Sequence, residues 1–175
     1  MKIIKKFLIS LGVFIVFLLV IAIFIKKDYA VQREVVIDKP LGEVFDFIIL
    51  LKNQDSFSKW AMADPEMKKS YKGTDGVVGF ISAWESETDS IGAGEQEIIK
   101  IAAGERIDYE LRFKEPIEIT DNAFLSTQSI DSNHTKVVWG FEGKMNYPMN
   151  LTLIFMNFDQ ILGGDLELGL NNLKT

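Results

Sequence analysis

The stretch Arg106-Ile-Asp-Tyr-Glu-Leu-Arg-Phe113 alternates without a break, with Ile107, Tyr109, Leu111 and Phe113 on one side and charged residues on the other. A period of two describes a strand with one face in water and the other in a core. The pattern extends in both directions. Upstream, strands are expected over 77–84 and 94–101; downstream, over 122–130 and 135–145. In the last of these Trp139 and Phe141 share a face, with Gly140 and Glu142 opposite. Turn-forming residues separate the segments: Gly92-Ala-Gly94, Ala103-Gly-Glu105 and Asp131-Ser-Asn133. Connections this short make hairpins and leave no room for the helical crossovers of a parallel sheet.

Outside this antiparallel block the period changes. Residues 33–38 (REVVID) form a β-branched, alternating first strand that Lys39-Pro40 stops, because proline donates nothing to a ladder. Residues 41–51 place Leu41, Val44, Phe45 and Ile48 at helical spacing, and the polar, aromatic-studded stretch up to Met67 holds a second short helix or an irregular loop. The tail, 151–173, is expected as one long helix with Phe155, Phe158, Leu162, Leu166, Gly169 and Leu173 on a single stripe. Gly163 and Gly164 sit in its middle, each costing about 1 kcal/mol against alanine, which points to a bend or to a close approach on that face. The order of elements is strand, helix pair, five strands and long helix. The class is α+β.

Composition narrows the chemistry. The chain has 175 residues, no Cys and one His, which excludes disulfides, thiolate chemistry and any two-His metal motif. Neither a metal nor any other cofactor is expected. The run that starts at Phe7 and ends at Ile25 (FLISLGVFIVFLLVIAIFI) carries no charge. Nineteen residues at about 1.5 Å each span roughly 28 Å, close to the hydrocarbon thickness of a bilayer. A cleaved signal peptide has a shorter apolar region and a small-residue cleavage site; Ile25-Lys-Lys-Asp-Tyr-Ala30 offers none. Residues 1–28 therefore read as an uncleaved, single-pass membrane anchor, 29–175 as the folded domain, and 26–32 as the linker. Lys2, Lys5, Lys6 and the amino terminus outweigh Lys26 and Lys27 across the span, which leans the domain to the extracytoplasmic side. Five of the 19 basic residues flank the run, so the part from Tyr29 onward has 14 basic against 24 acidic residues. Such a surface does not suit nucleic acid.

A curved antiparallel sheet with a long helix across its concave face leaves space between them, and the inward alternation supplies aromatic walls. Several stretches then point to a family. They are Ile37-Asp-Lys-Pro40 leading into Val44-Phe45-Asp46; Trp60 with 63–68 (ADPEMK); Gly73-Thr-Asp-Gly76 with Gly79 and Trp84; 92–98 (GAGEQEI); Glu105-Arg-Ile107; Thr135-Lys-Val-Val-Trp139 with Gly143; and 155–170 (FMNFDQILGGDLELGL). In this order they resemble the SRPBCC superfamily of START-like helix-grip proteins, in its polyketide cyclase/dehydrase and lipid-transport-like branch. Members of that branch often carry a tryptophan-rich cluster near Trp60, of which this chain keeps one tryptophan. The resemblance implies a helix-grip fold over 31–175 and a cavity for a small hydrophobic molecule. Fold alone does not choose between binder, transporter and enzyme.

The side chains expected to line that cavity are Trp60, Trp84, Gln96, Tyr109, Leu111, Phe113, Trp139, Phe141, Phe155, Phe158 and Leu162. No residue is assigned a catalytic role: His134 lies in a surface turn, and Asp159, Asp165 and Glu167 on a solvated helix face. The expected function is membrane-anchored binding or transport of a lipid, isoprenoid-like or polyketide-like compound. Two alternatives remain open. A cyclase or dehydratase would need a buried, pKa-shifted carboxylate or a Tyr–Asp pair inside the cavity; a protein-interaction module, as in the chaperone-activator branch, would have a filled core and an exposed apolar patch.

Overall fold

The computed structural model describes residues 2–88 and 90–174. Helix α1 (Lys2–Phe24) projects from the domain with almost every side chain exposed; only Ala22 is buried. It is long and apolar enough to cross a membrane. Strand β1 (Asp28–Ile37) follows within four residues, so the expected linker is mostly strand. Its start escapes sequence reading because Tyr29-Ala-Val-Gln lacks a clean alternation of apolar and charged residues.

After β1 come α2 (Leu41–Ile48), a 3₁₀ turn (Leu51–Ser56) and α3 (Lys59–Ala63). The Asp75 carboxylate accepts from the backbone N–H groups of Leu51 (2.7 Å) and Lys52 (3.1 Å), fixing the start of the 3₁₀ turn. Six further strands complete one sheet: β2 (Lys68–Lys72), β3 (Ile81–Glu85), β4 (Ala93–Ala102), β5 (Arg106–Glu115), β6 (Ile119–Ser129) and β7 (Thr135–Lys144). All pairs are antiparallel, in the order β1-β7-β6-β5-β4-β3-β2.

Two strand expectations change. The strand expected over 77–84 begins only at Ile81, because Gly79 takes a left-handed conformation (φ +88°) and leaves Val77 and Val78 in solvent. Strand β2 is not among the expected strands at all. Its sequence KKSYK has no apolar alternation, and its lysines suit an unpaired sheet edge.

The tail is not one helix. It runs as a 3₁₀ turn (Met149–Leu151), α4 (Thr152–Phe155) and α5 (Phe158–Lys174). The break belongs to Asn157, whose side chain accepts from the Gln160 N–H at 3.1 Å and so caps a new helix. The bend thus precedes the glycine pair. Gly163 and Gly169 instead permit close contacts: a Cβ on Gly163 would run into the Arg33 guanidinium, and one on Gly169 would lie 2.6 Å from the Trp139 ring. Gly164 faces open space. Helix α5 lies over β1 and β7 and buries Leu166 and Leu170 against the inner sheet face, where Ile107, Leu125, Val137 and Trp139 form the core. The outer face carries ions: Arg112 pairs with Glu95 (2.7 Å), Glu97 (2.8 Å) and Glu110, and Arg112 and Lys114 together hold the Glu95 carboxyl below the usual carboxylate range.

Candidate functional site

Between the inner sheet face and the helices lies a cavity of about 250 Å³. Strand register builds its walls. One cross-strand row carries Ser82, Gln96 and Leu111; the next carries Trp84, Gly94 and Phe113. Gly94 has a specific task there: a Cβ would lie 2.6 Å from the Trp84 indole, so only glycine lets that ring lie over β4 and meet Phe113 edge-on at 5.9 Å. Helix α3 brings Trp60, which stands edge-on to Trp139 at 6.0 Å, and α5 brings Leu162.

Of the residues expected to line a cavity, the structure brings together Trp60, Trp84, Gln96, Leu111, Phe113, Trp139, Phe141 and Leu162. Three stand elsewhere. Phe155 is 74% exposed, because α5 begins only after the Asn157 cap and α4 turns Phe155 outward. Phe158 packs on Tyr29, with ring centres 5.3 Å apart, rather than on the cavity. Tyr109 faces inward but is wholly buried and outside the cavity lining. Sequence reading also missed Gln54. It lies in a stretch without periodicity, and only the 3₁₀ turn held by Asp75 points it into the cavity.

Gln54 and Tyr109 form the polar part of the interior. The Gln54 amide faces the Tyr109 hydroxyl, yet neither Gln54 Nε2 nor Tyr109 Oη closes a hydrogen bond. Burial pushes the Tyr109 hydroxyl above the ordinary tyrosine range. Unmet buried donors carry a desolvation penalty of about 1–3 kcal/mol, which a ligand oxygen or a water would relieve. Asp55 also lines the cavity, held by Lys69 at 2.6 Å.

A second polar pair sits close by. Tyr29 Oη donates to Asp121 Oδ2 at 3.1 Å, and the Lys144 N–H donates to Oδ1 at 3.2 Å. Asp121 is buried, and burial raises its carboxyl above the usual range despite both donors. The same burial, with Asp121 beside it, raises the Tyr29 hydroxyl. This Tyr–Asp pair lies outside the cavity lining, and Tyr29 is flanked by the rings of Phe141 and Phe158. His134 sits in the β6–β7 turn against Asp131 at 2.7 Å, and Asp165 pairs with Lys59. Among the described residues no group of three His, Asp or Glu is placed to hold a metal ion.

No family model matches the sequence, and no curated protein matches it. Solved structures do match. A domain of the di-domain ARO/CYC protein BexL from the BE-7585A biosynthetic pathway superimposes with a TM-score of 0.58 at 12% identity, over 84% of this chain and 49% of that one. Ara h 8.0201 aligns with a TM-score of 0.52 at 12% identity, over 83% of this chain and 97% of its own. A protein from Thermobifida fusca matches with a TM-score of 0.56 at 18% identity, over 83% and 90%. The fold is the helix-grip fold. At these identities the likeness is one of fold, and the grip consists of the curled seven-stranded sheet closed by α5.

Proposed function

We propose that the domain binds a small, largely apolar molecule carrying one polar group, in the cavity between sheet and α5, while α1 anchors it to a membrane. The observation that carries this reading is the cavity itself: about 250 Å³, walled by Trp60, Trp84, Leu111, Phe113, Phe141 and Leu162, with Gln54, Ser82, Gln96 and the Asp55–Lys69 ion pair among its polar points. Apolar walls supply affinity at about 25 cal/mol per Å² buried, and a few polar groups orient the ligand. The volume sits just under the about 300 Å³ at which ligand pockets usually begin, which favours a compact ring system or short chain over a full phospholipid. A hollow interior argues against the interaction-module alternative, which expects a filled core.

The cyclase alternative keeps two observations in its favour, the Tyr29–Asp121 pair with its raised carboxyl and the cavity-lining Asp55, which accepts from the Tyr71 hydroxyl at 3.4 Å. The Tyr29–Asp121 pair would have to reach the ligand past Phe141. Anchoring is supported by the junction of α1 with the domain. Ala22 is buried and the Asn150 amide donates to its carbonyl at 2.6 Å, so the end of α1 is built into the fold in a way that a removable leader does not need.

Native mass spectrometry of the detergent-solubilised protein, followed by organic extraction, tests the binding reading, with titration of the neutral dye N-phenyl-1-naphthylamine alongside. Saturable dye binding that Leu162→Trp abolishes is the expected result. A protein that carries no small molecule and binds no dye defeats it.

A further inference from the structure

We propose that residues 147–161 lie in the interfacial layer of the bilayer that α1 spans, so that the cavity opens against lipid. This rests on the anchoring reading above and adds to it an orientation and a membrane-contact surface.

Three observations carry it. The first is rigidity at the exit point of the span. Asn150, fully buried, donates its amide to the carbonyls of Ala22 (2.6 Å) and Ile25 (3.1 Å), at the end of α1, and the Met145 N–H donates to the Lys27 carbonyl at 2.9 Å. Residues 145–150 are therefore held at the level where the chain leaves the hydrocarbon, with no free linker between them and the span.

The second is the composition and exposure of the segment after β7. Residues 145–158 (MNYPMNLTLIFMNF) contain no charge. In and just beyond this stretch, Tyr147, Met149, Ile154, Phe155, Met156 and Ile161 are between 45% and 74% exposed. Soluble surfaces seldom gather large apolar side chains in this way. Aromatic and aliphatic residues beside a span, next to lysines such as Lys26 and Lys27, are the composition of a membrane–water interface. A short amphipathic segment there sinks its apolar side about 5–10 Å into the headgroup–acyl boundary.

The third is the placement of the cavity. Asp28 pairs with Lys144, which sets the anchor end of the sheet. The β5–β6 turn, with exposed Ile117, lies at that same end, and so does the row of Trp84, Gly94 and Phe113. Ser90 and Ile91, which also line the cavity, precede β4 at this end. The opposite end carries charged and polar residues in the turns at 103–105 and 131–134, together with exposed Val77, Val78 and Ile130. The hollow half of the grip is thus the half nearest the anchor, and a ligand dissolved in the bilayer would meet the cavity without crossing bulk water.

The absence of native cysteine makes the test direct. The full chain is prepared with single nitroxide labels at Val16→Cys, Phe155→Cys and Asn133→Cys, and reconstituted into vesicles of phosphatidylcholine and phosphatidylglycerol. Collisions with oxygen and with a water-soluble nickel chelate are then compared by spin-label power saturation. Labels at 16 and 155 are expected to meet oxygen and not nickel; the label at 133, the reverse. A nickel-accessible label at 155 with a lipid-buried label at 16 overturns the interfacial segment and leaves the anchor standing. A water-exposed label at 16 overturns the anchor and this inference with it. A second measurement uses Ile154→Ser combined with Phe155→Ser, both surface changes that leave the fold intact. Uptake of N-phenyl-1-naphthylamine from vesicles should slow several-fold while dye uptake from detergent solution is unchanged. Equal slowing in both settings, or in neither, defeats the route from lipid.

Discussion

The two halves of the grip are built from the same alternating pattern and end differently. At the end far from α1, α5 presses Leu166 and Leu170 onto Ile107, Leu125 and Val137, and these side chains are essentially without solvent access. Nearer α1, the edge-on pair of Trp84 and Phe113 and the Leu162 side chain line an unfilled cavity. Apolar alternation therefore says that a face is turned inward, not that the inside is full. Filling depends on how near the helix comes, and α5 lies close where Gly169 admits Trp139. Further toward its start, α5 meets β1 through Gly163, which admits the Arg33 guanidinium on its way to Asp159 at 2.9 Å.

The largest expected contrast is between two leucines of the same helix. Leu166→Ala should cost about 2–5 kcal/mol, as for any fully packed core leucine. Leu162→Ala enlarges a cavity that already exists, and its loss should fall below about 2 kcal/mol, since fewer neighbours are forfeited. Chemical denaturation of the full chain in detergent compares the two. Equal losses would mean that the cavity closes in solution.

The glycines sharpen the same comparison at smaller scale. Gly169→Ala puts a methyl group 2.6 Å from the buried Trp139 ring, and overpacking of this kind costs about 1–3 kcal/mol. Gly164→Ala meets nothing within 4 Å and should stabilise the domain by about 1 kcal/mol through helix propensity, with dye binding unchanged. Thermal melts should separate the two variants in opposite directions. A loss of dye affinity in Gly164→Ala would place that residue at the cavity after all.

The smallest effect concerns Asp121. Its carboxyl is raised in the folded state, so the native protein binds more protons there than the unfolded chain does in the window above about pH 4. That contribution to stability is complete below the unfolded pKa and is lost as pH rises through the folded one. Asp121→Asn removes the titration while keeping an acceptor for Tyr29. The melting temperature of the variant relative to the parent should therefore climb as pH rises from 4 to 7. A constant difference over that range would show that the carboxyl is not shifted.

Much of the fold was legible along the chain. The strands β4 to β7 and helix α2 follow from alternation, helical spacing and turn residues that act within a few positions of one another. The errors fall where a distant partner or a single residue overrules the local pattern. Gly79 cuts β3 short, a bare row of lysines becomes β2 because β3 offers it hydrogen bonds, and Asn157 divides the tail into two helices. The site was legible to the extent that it lies on alternating strands. Gln54 and the Tyr29–Asp121 pair were not, because each depends on contacts between residues far apart in sequence.

The sequence alone determined an antiparallel α+β domain behind one apolar helix, because periodicity and turn chemistry are local properties. It also excluded thiol and multi-histidine chemistry, because residues that are absent cannot be folded into place. Tertiary structure decided which inward-facing residues make a core and which surround a void. It also turned Phe155 outward and set residues 149–151 beside the end of α1. Those outcomes depend on the separation between sheet and helix and on single contacts such as Asn150 with Ala22, and no pattern along the chain encodes a distance across it.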